Sequence, residues 1–432
     1  MLIDVNTGSV QVSHAIPLCW PGTMPSLRLF SSARLVLTAL ALQTAAIASL
    51  QPLIPPTGPF NVGISKHAIP FVNPDDPFAP GNVTTSYLAT VFYPTLDEPP
   101  CPATPYLHPE IVRIYGTHYG LPLPKLRALT APVRWGANPA PADKVATLTG
   151  RNYSTLIWGA GGTGSPPEAN TMLLSDLASR GYAVVGIEHP YEQPFVWYPN
   201  PNPNIPGGGG PTDPGPGIVG TPTDIQLTEP LLRQLYAVRL REMLHVTKVW
   251  WPAIVAEKRW PFATSGMGIM GHSFGGSLAL DVAAKTPANL TAAAINLDGL
   301  IWSPNQDAGK PQMLFGSYLH IPGPETIDAT WGEYSRLQTE WWRWTLAEDY
   351  GHLDCSDVAL WKELGPHNMS NFSVAGIPGD RAVEITRGLV NAFFDRFVRG
   401  IPDEKGVLDS PGKVYKEVQL IAGDNGSNST TA

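Results

Sequence analysis

The stretch Met267–Ala284, MGIMGHSFGGSLALDVAA, runs a strand-like apolar segment into Gly-His-Ser-Phe-Gly-Gly and straight on into a small-residue helical pattern. In a chain with 42 glycines, a bare Gly-x-Ser-x-Gly match carries little weight. Its setting carries more. A serine on a sharp turn between a buried strand and a helix is pushed up at the carboxyl edge of a sheet, beside the amides of the helix N-terminus. Such a turn needs small neighbours: Gly271 and Gly275 let the backbone bend, and Gly276 lets helix and strand approach. Ser273 is therefore read as a nucleophile.

The segments around this turn repeat the same alternation. STLIWGAGG, YAVVGIEHP, AAAINLDG and QMLFGSY are short, nearly continuous apolar runs, and WRWTLAEDYGH is a candidate last strand. Between and after them lie the helical patterns TMLLSDLASRG, LLRQLYAVRLREMLHVTKVW, GSLALDVAAKT and DRAVEITRGLVNAFFDRFVRG. Apolar strands alternating with helices predict an α/β chain with a mostly parallel central sheet and helices on both faces. Ahead of them, GPFNVGISKHAIPFVNPDDPFAPGNVTTSYLATVFYPT alternates apolar and polar residues around turn signals, which predicts an antiparallel hairpin. Residues 199–223, PNPNPNIPGGGGPTDPGPGIVGTPT, are expected to form neither helix nor ladder, because proline lacks a donor and glycine loses most entropy on ordering. They are read as a flexible insert.

A serine hydroxyl is a weak nucleophile unless a base takes its proton and an acid holds that base in one tautomer. For the acid, Asp298 follows the next apolar strand, so its side chain emerges at the same sheet edge as Ser273. Asp281 lies within the helix after the turn and points away; Glu188 precedes the serine, against the order Ser, acid, His. For the base, His352 ends the last strand candidate in a glycine-bearing turn, whereas His320 and His367 sit in loops and are read as solvated. The oxyanion hole is assigned to the amide of Phe274 and to Gly161 in the glycine-rich loop LIWGAGGTG, with Gly162 as the next choice. Trp341, Trp342 and Trp344 are read as core and edge aromatics.

These residues resemble the platelet-activating factor acetylhydrolases of the plasma type and their fungal relatives, on the α/β-hydrolase fold. The resemblance rests on TGPFNVGI, STLIWGAGGTG, LLSDLASRGYAVVGIEHPY, IMGHSFGGSLAL, AINLDG and GHLDCSD, from about residue 57 to residue 400. It implies Ser273, Asp298 and His352 as the triad, Gly161 near the second oxyanion donor, and calcium-independent cleavage of short or oxidised acyl groups from the sn-2 position of phospholipids. No cofactor or metal is implied. The chain departs from the family in having Gly159-Ala160 where His-Gly is usual, and Cys355 where an aromatic residue is common. Two other readings stand beside it: a general secreted carboxylesterase, lipase or polyester hydrolase on the same fold, and a catalytically inactive binding protein.

Residues 1–48 read as a targeting segment whose start is Met24: Arg28 and Arg34 precede the apolar run Leu35–Leu42, and Ala46-Ile47-Ala48 forms a small-x-small cleavage site. Gln43 and Thr44 interrupt that run before it can span a bilayer. Sequons at Asn82, Asn152, Asn289, Asn368, Asn371, Asn425 and Asn428 agree with secretion. Removal of Cys19 with the leader leaves Cys101 and Cys355, read either as a disulfide or as two buried thiols. Residues 49–422 are expected to form the hydrolase domain and 423–432 a polar tail. With a net charge of −8 and no Lys/Arg run, nucleic acid is an improbable partner; a small ester or lipid, with transient contact to a lipid surface, is the expected one.

Overall fold

The computed structural model describes residues 50–426, apart from 102, 165, 201–209, 212–213, 224 and 324–325. The targeting segment, residues 201–209 and 212–213 of the Pro/Gly insert, Cys19, Asn428 and the end of the tail lie outside the described residues.

A ten-stranded sheet organises the chain: β1 Asn61–Pro74, β2 Val83–Thr95, β3 Val133–Trp135, β4 Ser154–Gly159, β5 Tyr182–Glu188, β6 Met267–His272, β7 Thr291–Leu297, β8 Gln312–Gly316, β9 Trp342–Ala347 and β10 Val418–Asp424. Their spatial order is β10-β9-β8-β7-β6-β4-β5-β2-β1-β3. From β5 through β4, β6, β7 and β8 to β9 the pairs are parallel. The early hairpin β1–β2 and the edge strand β10 pair antiparallel. Every residue of β4 after Ser154, and of β5, β6 and β8, is buried, as expected of strands covered on both faces. Helices that matter for the site are α1 Pro109–His118, α2 Thr171–Ser179, α3 Glu229–His245, α4 Phe274–Ala284 and α5 Gly379–Phe397. The expected α/β-hydrolase fold is what the chain adopts.

Register decides where chemistry is possible. Gly271 pairs with Gly159 and Asn296, and Leu297 pairs with Phe315, so β4, β6, β7 and β8 end level with one another. The loops after these strands converge on one carboxyl edge, which is where ligands bind in open α/β sheets.

Two expectations need correction. The 199–223 segment does contribute a ladder: Gly217–Val219 pairs antiparallel with Phe195–Trp197, folding its C-terminal part back as a hairpin arm. Its glycine at position 217 fits because the ring of Phe195 fills the space a Cβ would take. The Cys101–Cys355 bond is absent. Cys355 is a free thiol buried under the histidine loop, whereas Cys101 lies at an exposed position. Burial pushes the Cys355 thiol well above its usual pKa.

Candidate active site

Ser273 occupies the turn between β6 and α4 with φ 56° and ψ −121°, a conformation that a residue with a side chain adopts only under constraint. The constraint is close packing. A Cβ on Gly271 would lie 2.3 Å from the backbone of Gly275, and one on Gly275 would lie 2.2 Å from the carbonyl oxygen of Gly159. The amide of Ser273 donates to Leu297 O (2.8 Å), extending the sheet past the end of β6 and lifting the hydroxyl clear of it.

His352 reaches Ser273 from the loop after β9. Its Nε2 lies 3.0 Å from Ser273 Oγ and its Nδ1 2.6 Å from Asp298 Oδ2. A carboxylate only accepts, so Nδ1 carries the proton and Nε2 presents a lone pair to the serine hydroxyl. Asp298 is fully buried at the end of β7, and its other oxygen, Oδ1, accepts from the amide of Ser317. Burial works against its charge, but the facing imidazoles of His320 and His352 outweigh that and hold its carboxyl well below the usual range. The histidine loop is pinned at two points. His272, pushed down to about 3 by burial and by His352, is neutral and donates from Nε2 to His352 O (2.8 Å). Asp357 accepts from the Tyr106 hydroxyl (2.6 Å) and from the amide of Met172 at the start of α2 (3.0 Å).

His320, read from sequence as a solvated loop residue, is buried instead. Its ring stacks on Trp331 (centroids 3.9 Å apart, planes 6° apart), Nδ1 lies 2.8 Å from Asp328 Oδ2, and Nε2 lies 3.4 Å from Asp298 Oδ1. Burial disfavours its charge, yet the two carboxylates prevail and push its pKa up to about 9. At neutral pH it is therefore an imidazolium held behind the catalytic acid. The only sequence signal for it was an acid eight positions on, which loop composition alone does not distinguish from a solvated pair. His367 is exposed, Asp281 binds Ser303, Gln306 and Lys285 away from the site, and Glu188 is paired with buried Lys66. Trp341 packs on Phe393 and Phe397, Trp344 packs on Trp331, and Trp342 begins β9 at the end remote from Ser273.

The loop after β4 supplies the facing wall. A Cβ placed on Gly161 would lie 3.4 Å from Ser273 Cβ, and one on Gly162 would lie 3.5 Å from Phe274 Cβ. The loop's backbone thus sits directly over the first residues of α4, where the Phe274 amide opens the helix. A cavity of about 150 Å³ lies between, lined by Gly161–Gly164, His272, Ser273, His352 and Leu353. Its outer wall is Tyr115, His118 and Tyr119 at the end of α1, with Thr223 from the end of the Pro/Gly insert. A larger cavity of about 760 Å³ lies against α5 and holds none of these residues. A serine–imidazole–carboxylate chain whose carboxylate is fully buried and whose serine and imidazole stay half-exposed to the cavity is equipped to transfer an acyl group through a serine ester.

No protein-family model matches the chain. It is similar to a probable 1-alkyl-2-acetylglycerophosphocholine esterase of Arthroderma benhamiae, 27% identical over 262 residues, covering 57% of this chain and 60% of that protein. The chain thus spans about three fifths of the length of this curated relative. Among solved structures it is similar to a ferulic acid esterase from Streptomyces cinnamoneus, with a TM-score of 0.67 and 26% identity, covering 87% of this chain and all of that one. By fold, by the geometry of its site and by these two likenesses, the chain is an α/β-hydrolase-fold protein that resembles the platelet-activating factor acetylhydrolases and other esterases.

Proposed function

We propose that the protein is a secreted serine esterase that hydrolyses the short sn-2 acyl ester of phospholipids, of the 1-alkyl-2-acetylglycerophosphocholine esterase type. The observation that carries the esterase reading is the continuous chain from Ser273 Oγ through His352 to Asp298, with contacts of 3.0 and 2.6 Å. Ser273 Oγ attacks the ester carbonyl while its proton passes to His352 Nε2. The carbonyl oxygen becomes an oxyanion facing the amides of Phe274 and Gly161. Collapse expels the lyso-lipid alkoxide, which takes the proton from His352, and leaves an acyl-Ser273. Water then attacks the acyl carbon, delivering its proton to His352; collapse breaks the bond to Ser273 Oγ, which takes that proton back from His352 Nε2, and the acid departs.

Support for a short acyl group comes from the cavity beside Ser273, whose roughly 150 Å³ suits a few carbons rather than a fatty chain, and from the Arthroderma benhamiae relative. A second reading, an esterase of aryl or feruloyl esters, is favoured by the similarity to the ferulic acid esterase, which extends over the whole of that chain. Supporting export are the targeting pattern before residue 49 and the exposure of Asn82, Asn152, Asn289, Asn368, Asn371 and Asn425, each in a sequon open to glycosylation.

The test is a panel of sn-2 acetyl, butyryl and long-chain phospholipids beside p-nitrophenyl and feruloyl esters, with Ser273→Ala as control and with a calcium chelator present or absent. Calcium-independent, Ser273-dependent activity that falls with sn-2 chain length is expected. Preference for feruloyl or simple aryl esters would replace the phospholipid reading with the second one.

A further inference from the structure

The loop that must present the Gly161 amide is built from Gly159, Ala160, Gly161, Gly162, Thr163 and Gly164, a composition with little intrinsic order. Donors of an oxyanion hole help only when they are already aimed before charge develops. Something must hold this loop still, and α3 does so. Tyr236, Arg239 and Met243, spaced three and four residues apart, share one face of that helix. Met243 packs against Gly159, and Tyr236 meets the Phe274 ring edge-on at 5.2 Å.

Arg239 lies between them and is fully buried. Its Nη1 donates to Ala160 O (2.7 Å) and its Nη2 to Gly161 O (3.0 Å). The same guanidinium grips Glu192 in two-pronged fashion, through Nε (2.5 Å) and Nη2 (2.7 Å). Glu192 in turn accepts from the amide of Thr163 (3.1 Å), fixing the far end of the loop. On its other side the guanidinium carbon sits 5.4 Å from the centre of the Phe274 ring. One side chain thus touches both residues whose amides define the oxyanion hole, and it holds the carbonyls on either side of the Gly161 amide.

We propose that Arg239, anchored by Glu192, is the positioning residue of the oxyanion hole: it locks the 160–163 loop against Phe274 so that the Gly161 and Phe274 amides converge on one point. Stability is a weak explanation for the pair. Desolvating a guanidinium and a carboxylate is costly, and apolar side chains of similar volume commonly stabilise a core as well or better. A lysine would not serve, because a single ammonium cannot span two carbonyls and a bidentate carboxylate. Arg239 touches no reacting atom; it acts through the two amides.

The inference rests on the esterase reading, and the experiment separates the two. Steady-state hydrolysis of p-nitrophenyl acetate and the rate of fluorophosphonate labelling are measured for wild type, Arg239→Gln, Arg239→Lys and Glu192→Gln, with thermal melts to establish that each is folded. Arg239→Gln is expected to lose about 100-fold or more in kcat, the scale of one lost oxyanion donor, with KM within about threefold. Labelling should slow in parallel, since the phosphonate also develops an oxyanion. Arg239→Lys should restore only part of the loss, and Glu192→Gln, which keeps the guanidinium, should fall between Arg239→Gln and wild type. A folded Arg239→Gln with kcat near wild type, or one whose defect is confined to KM, overturns the inference. If Arg239→Gln fails to fold, Arg239→Lys and Glu192→Gln decide it: unchanged kcat in both overturns it. A wild-type protein that neither turns over the ester nor labels at Ser273 sinks the esterase reading itself.

Discussion

Asp298 is where charge is most concentrated in this site: one carboxylate, fully buried, orients His352 and faces the His320 imidazolium. Asp298→Asn should leave the fold intact and present the wrong hydrogen-bonding group to Nδ1, so kcat is expected to fall about 10⁴-fold, as when serine hydrolases lose their acid. His320 adds a pH dependence whose sign follows from its raised pKa. An unfolded histidine titrates near 6.5 and the folded one near 9, so the folded state holds the proton more tightly. Its stabilising contribution is complete below pH 6.5 and is lost as pH rises to about 9. Urea unfolding of wild type and His320→Gln between pH 6 and 10 should therefore show a stability gap that closes across that window. A gap independent of pH would contradict the assignment. This residue was illegible in the sequence because its partners, Asp298, Asp328 and Trp331, meet only in three dimensions.

At the scale of elements, the strand–turn–helix around Ser273 was readable because its physics is local: a short apolar run, glycines where a sharp turn and close packing need them, and a helix former after it. The structure adds how little room there is. A Cβ at position 276 would lie 2.1 Å from Asn296 Oδ1, and one at 275 would lie 2.2 Å from Gly159 O. Gly276→Ala and Gly275→Ala are each expected to cost about 1–3 kcal/mol or more in chemical denaturation, with activity lost as α4 is pushed off β4 and β7. Gly332, in the short helix Thr330–Ser335, is the contrast. Nothing lies within 4 Å of its Cβ position, so Gly332→Ala should be neutral or stabilise by up to about 1 kcal/mol. The hairpin arm Gly217–Val219 escaped the sequence reading for the opposite reason. Its three residues acquire strand conformation only by pairing with Phe195–Trp197, a partner that local composition cannot announce.

Across the whole molecule, the histidine loop is secured by buried hydrogen bonds rather than by a covalent tie. Asp357, pushed up to about 7 by burial, joins that loop to Tyr106 and to α2, while Cys355 stays a thiol. Cys355 should accordingly resist maleimide in the native protein and react once guanidinium is added, as read by peptide mass mapping. Ready labelling in the native state would mean the loop opens. Asp357→Asn should lower the melting temperature and slow catalysis together, since it loosens the segment that carries His352.

The sequence by itself determined the order of strands and helices, the turn that presents Ser273 and the two side chains brought to it. Those depend on periodicity and on steric needs of neighbouring residues, and a chain that must bury apolar strands between helices delivers their carboxyl ends to one edge. Only the tertiary structure decided which groups stand behind them: His320 behind Asp298, Arg239 and Glu192 behind the oxyanion loop, and a lone buried thiol where a disulfide was one reading. Each of these is a contact between residues far apart in the chain, and a buried charge takes its meaning from partners that folding supplies.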